Sequence, residues 1–176
     1  MDLVKILHQY EAHTQRWIAA LTTYSDAEFA TKPTKEAWSI GQVYAHLAGV
    51  TDKCLENALC CAENKGETGH IGFGPAFFSW MGAFPPVKMH IKKIPPGLES
   101  VYSPAQVNKA EAEKLLLDAL ERMKSSISTV QKADRNQRMA HWAGGWFNAQ
   151  QWFHSCEMHL KHHFRQKKRI DKSLGK

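Results

Sequence analysis

The sequence predicts an all-α protein, a four-helix bundle, and three observations carry that prediction. Four long stretches repeat apolar residues at steps of three and four. Helix-start patterns recur ahead of them. No run alternates apolar and polar residues as a half-buried strand would. At 176 residues with 43% apolar and 23% charged side chains, the chain suits one domain over 1–176 with a real hydrophobic core.

The first helix is expected over residues 2–23, with Leu3, Ile6, Leu7, Tyr10, Trp17 and Leu21 near one face. A short helix follows at 26–31, opened by the capping box Ser25 to Glu28, in which the two side chains satisfy free backbone N–H groups. The second long helix, at 40–63, starts from Ser39 to Gln42 and carries the stripe Ile40, Val43, Leu47, Val50 and Cys54. The third is expected at 104–131, with Ser103 to Gln106 as its box and Pro104 at its first position, where a missing N–H costs nothing. Its stripe is Leu116, Leu120, Met123, Ile127 and Val130. The fourth runs over 149–170 behind an Asn148 cap with Gln151. At each start an apolar pair brackets the cap: Tyr24 with Phe29, Trp38 with Val43, Tyr102 with Val107, Phe147 with Trp152.

Residues 64–102, between the second and third helices, are too many for a bare loop. They include the aromatic run 72–86 (GFGPAFFSWMGAFPP), which reads either as a plug for one end of the bundle or as the wall of a pocket. A second irregular stretch, 139–147, leads into the fourth helix and is expected to line the same opening.

No window of apolar residues is long enough to span a membrane, and the first residues mix charge into a helical pattern with no signal-peptide core. A cytoplasmic protein is therefore expected. The four cysteines, Cys54, Cys60, Cys61 and Cys156, show no CxxC spacing and read as free thiols. The net charge of +6 permits an acidic partner without demanding one.

The chemistry concentrates on the fourth helix. His159 and His163 are four apart, so both imidazoles leave one helical face and can grip one metal ion. Trp152, Cys156, His159 and His163 share that face beside the apolar one of Phe153, Leu160 and Phe164, while His154 and His162 read as solvent-facing. Catalytic metal sites take three protein ligands, and the best third by spacing is His46, at the edge of the second helix's stripe. Histidines satisfied by carboxylates or carbonyls are the alternative for this pair.

Two motifs extend the reading. Residues 38–47 (WSIGQVYAHL) and the pattern His159-x-x-x-His163-x-x-Gln166 resemble the helix-two and helix-four signatures of the DinB/YfiT-like four-helix-bundle superfamily. The resemblance spans most of the chain. It implies that His46, His159 and His163 bind a divalent metal, nickel or zinc, in the bundle core. It also implies an enzyme: a metal-dependent hydrolase, or a transferase using a low-molecular-weight thiol, acting on a small molecule. Arg165 departs from the pattern, standing where many relatives have Gly.

The remaining features have plainer readings. The basic run Lys161, Arg165, Lys167, Lys168, Arg169, Lys172 and Lys176 suits a helix C-terminus, whose dipole favours cations. The rival reading is a non-catalytic metal-containing module that contacts nucleic acid through this run, and a nucleic-acid partner is not the expectation. Truncation after Arg169 is expected to leave the fold intact. Cys156 reads as a core residue in preference to a fourth ligand. His141 and Glu157 are general-base candidates by sequence proximity alone. A homodimer is compatible with all of this.

Overall fold

The computed structural model describes residues 1–67, 97–141 and 145–176. The long helices are α1 (Leu3–Ala20), α3 (Ile40–Ala62), α5 (Lys109–Lys132) and α6 (Ala149–Ser173); α2 (Asp26–Ala30) and α4 (Glu99–Tyr102) are short. A 3-10 turn, Leu21–Thr23, ends α1. The all-α four-helix expectation holds, with α6 and α5 each packed against both α1 and α3. α1 and α3 therefore lie across the bundle from each other and meet through long side chains. The Tyr10 hydroxyl is 3.1 Å from Thr51 Oγ1, and the Tyr44 hydroxyl donates to the Trp17 carbonyl.

Three of the four expected helix starts are present with both halves of the capping box satisfied: Ser25 with Glu28, Ser39 with Gln42, and Asn148 with Gln151. Two of the bracketing pairs are ring contacts, Tyr24 to Phe29 at 6.1 Å and Phe147 to Trp152 at 5.6 Å.

The third start differs. α5 begins five residues later, capped by Asn108, whose box with Glu111 is complete. Residues 103–107 are drawn off the helix by α3. The Gln42 side chain donates to the Pro104 carbonyl at 2.9 Å, and the Ser39 hydroxyl donates to Gln106 Oε1. Gly41 admits this close pass, since a Cβ there would lie 2.2 Å from Gln106 Nε2 and 2.7 Å from the Val107 carbonyl oxygen. Two caps compete for one helix, and long-range hydrogen bonds decide between them.

The absence of strands needs correction as well. Residues Arg138–Ala140 (β1) and Trp146–Asn148 (β2) pair antiparallel, and Glu67 bridges to Arg138. Three-residue strands are too short to display alternation, so the pattern rule does not find them. This hairpin delivers the chain to the Asn148 cap of α6. Residues 72–86 lie outside the described residues, as does Trp142.

The C-terminal end is built in more firmly than its composition suggests. Ile170 is buried, and Leu174 packs on the core. Asp171 accepts from the Tyr24 hydroxyl and the Lys167 ammonium. Lys176 Nζ reaches the Thr23 carbonyl at 2.6 Å and Glu28 at 3.0 Å. Truncation after Arg169 therefore removes core and not merely polar surface. Loss of the Ile170 side chain alone should cost about 2 kcal/mol, and urea denaturation of the shortened chain should show a lower midpoint. An unchanged midpoint would contradict this packing.

Candidate metal centre

Three histidines on two packed helices converge on one point. His46 stands on the second turn of α3, and His159 and His163 stand one turn apart on α6, the helix that packs most closely against α3. His46 and His163 are only 5% and 8% exposed. The three Nε2 atoms form a near-equilateral triangle: 3.2 Å from His46 to His159, 3.2 Å from His46 to His163, and 3.0 Å between His159 and His163. Among the described residues this is the one group of histidines, cysteines and carboxylates placed to hold a metal ion.

The triangle fits such an ion. With metal–nitrogen bonds of about 2.0–2.1 Å, nitrogens disposed on one side of an ion sit about 3.0–3.4 Å apart. Three lone pairs aimed at one point repel unless a cation or shared protons lie between them. An all-imidazole donor set suits zinc, copper, iron or nickel better than the harder magnesium or calcium.

The electrostatics keep the rings uncharged. Burial pushes His46 down to about 4, against a Val101 hydrogen bond that acts the other way. Burial, then the neighbouring histidines, hold His159 and His163 well below the usual imidazole range. All three are neutral at pH 7, as metal ligands must be.

Contacts outside the triangle orient two of the rings. His46 Nδ1 lies 2.7 Å from the Val101 carbonyl oxygen, and His163 Nδ1 lies 2.7 Å from Gln166 Oε1. Among the described residues His159 Nδ1 is buried without a hydrogen-bond partner. Trp38, half-buried just before the Ser39 cap, lays its ring 4.7 Å from that of His46. Gln166 is legible in the sequence, three positions beyond His163 in the helix-four pattern. Trp38 is legible only as a helix-start residue, and a backbone carbonyl such as Val101's leaves no mark in a sequence.

The other sequence candidates fall elsewhere. Cys156 is fully buried, with Sγ 3.7 Å from the Trp152 carbonyl oxygen, and burial followed by Cys54 raises its pKa well above the ordinary thiol value. It is a core residue outside the triangle. Cys54, Cys60 and Cys61 are free thiols. Glu157 is buried between α6 and α1, 3.0 Å from His13 Nε2 and 3.6 Å from His154 Nε2. His141 is buried against Phe147 and Trp152 at 4.5 and 4.9 Å, and desolvation lowers it to about 4. His154 and His162 are half-buried, contrary to the solvent-facing expectation: the first leans on Glu157, and the ring of the second lies 5.3 Å from that of His163.

Known proteins share this arrangement of helices. The sequence profile of the DinB superfamily matches residues 9–166. Among solved structures, YfiT from Bacillus subtilis, described as a probable metal-dependent hydrolase with an unusual four-helix-bundle topology, superposes with a TM-score of 0.66. The two are 13% identical, over 98% of this chain and 87% of that one. A mycothiol-dependent maleylpyruvate isomerase superposes with a TM-score of 0.51 at 13% identity, over 93% of this chain and 59% of that one. No curated protein matches in sequence. Among the described residues no helix is long and apolar enough to cross a membrane.

Proposed function

Since the chain belongs to the DinB superfamily, we propose that it is a divalent-metal enzyme whose ion is held by His46, His159 and His163. Among the metals an imidazole set suits, nickel or zinc is the choice that the family resemblance implies. The convergence of three Nε2 atoms within 3.2 Å is the single observation that carries the reading. The substrate is a small molecule, and the reaction is hydrolysis or transfer involving a low-molecular-weight thiol. The descriptions of YfiT and of the thiol-dependent isomerase support these two branches.

Bound there, a divalent ion would supply Lewis acidity, lowering the pKa of water or of a thiol. The chain's own residues do the rest. Burial keeps the three imidazoles uncharged at neutral pH, so no imidazolium opposes the ion. Trp38 lays its ring against that of His46 and so braces that side of the site. His141 stays neutral beside Trp152, so it adds no charge to compete with the ion. Glu157 is held by His13 and His154, which ties its carboxylate into the α1–α6 contact.

Cobalt-substituted protein tests the thiol branch. Adding 2-mercaptoethanol should produce a sulfur-to-metal charge-transfer band in the near ultraviolet, and His163→Ala should lack it. An unchanged spectrum at saturating thiol would reject thiol ligation and leave hydrolysis as the reading.

A further inference from the structure

The three histidines are not equivalent, and their outer nitrogens show why. An imidazole that ligates through Nε2 must carry its ring proton on Nδ1. His46 meets that condition through its backbone partner. The Val101 carbonyl can only accept, so the 2.7 Å contact requires the proton on His46 Nδ1. His163 meets it through Gln166, whose Oε1 accepts at 2.7 Å. Among the described residues His159 has no acceptor at Nδ1, which is nevertheless buried. Placing its proton there strands a buried donor, which is unfavourable. On Nε2 the same proton faces two lone pairs, those of His46 at 3.2 Å and His163 at 3.0 Å.

We infer that Gln166 is a positioning residue that presets His163 for metal, and that His159 is the one ligand whose proton must move from Nε2 to Nδ1 when the ion enters. The inference rests on the metal reading above. The move is a tautomer change: the Nε2 proton leaves, Nδ1 gains one through solvent exchange, and the ring stays neutral throughout. Two ligands are ready in advance and one is converted on binding.

Long-range proton–nitrogen correlation spectra of the ring nitrogens read this directly in the chelator-treated wild-type chain. His46 and His163 should show the Nδ1–H tautomer and His159 the Nε2–H tautomer; zinc should convert His159 alone. Either His163 as Nε2–H or His159 already as Nδ1–H in the metal-free chain would overturn the assignment. That measurement needs no metal, whereas failure of the wild-type chain to take up zinc would overturn the functional reading itself. A second arm isolates Gln166. Gln166→Met removes the acceptor and should weaken zinc binding by roughly 10–100-fold, with the metal-free melting temperature unchanged. Gln166→Glu keeps an acceptor and should restore affinity to at least the wild-type value. Equal affinity for Gln166→Met and wild type, or a Glu variant as weak as the Met variant, would overturn the positioning role.

Discussion

The metal-free protein should lose most of its stability between pH 6.5 and pH 4. An unfolded histidine titrates near 6.5, while burial brings His46 and His141 to about 4 and takes His159 and His163 well below their ordinary value. Below pH 6.5 the unfolded chain therefore binds protons that the folded chain refuses, so stability is full above that value and falls as pH drops. Each pH unit costs about 1.4 kcal/mol per such histidine. His46 and His141 alone then forfeit about 6 kcal/mol by pH 4, comparable with the roughly 5–15 kcal/mol that holds a domain folded. Urea midpoints measured with chelator present should decline steadily from pH 7 to pH 5. A flat profile across that interval would show that these rings are not buried as described.

Trp17→Ala should be the most damaging single core substitution. The ring is fully buried, stacked on Phe164 at 4.9 Å and set edge-on to Tyr44 at 5.1 Å. Its Nε1 donates to the Leu160 carbonyl at 3.3 Å, next to His159 on α6. Removing so large a side chain costs about 3–5 kcal/mol, which for a domain of this size lowers the melting temperature by roughly 10–15 °C. Trp17→Phe keeps most of the volume and should lose well under half as much. Because Trp17 seats α6 through Leu160, the Ala variant should also bind metal more weakly. Melting with and without chelator measures both effects, and a shift below about 3 °C would contradict the packing.

Local rules make much of this fold legible. A capping box is a contact between residues three apart, so Ser25, Ser39 and Asn148 announce their helices without reference to the rest of the chain. Ser103 satisfies the same local rule and still fails, because Ser39 and Gln42 reach across from α3 to claim Gln106 and Pro104. That competition is non-local, and no window of sequence contains it. The hairpin at 138–148 escapes for a different reason: strands of three residues carry too little periodicity.

The candidate centre divides the same way. The four-residue spacing of His159 and His163 fixes a shared face through helical geometry alone. His46 is marked by its place at the edge of an apolar stripe and by the family signature around it. Its contact with α6 spans more than a hundred residues of chain. The Val101 carbonyl, Trp38 against His46, and the His13–Glu157 contact are all products of the fold. Half-burial of His154 and His162 is invisible to a helical wheel, which places residues relative to one helix and not to its neighbours.

Whether these three imidazoles form one divalent-metal site is decided by metal content. Untagged protein should be stripped with chelator, dialysed against limiting zinc or nickel, and assayed for bound metal by elemental analysis beside His46→Ala and His163→Ala. The expected result is close to one ion per wild-type chain and a loss of at least a hundredfold in affinity for either variant, with both variants still folded by circular dichroism. Wild-type metal content in the folded variants, or none in the wild-type chain, would contradict a three-histidine centre.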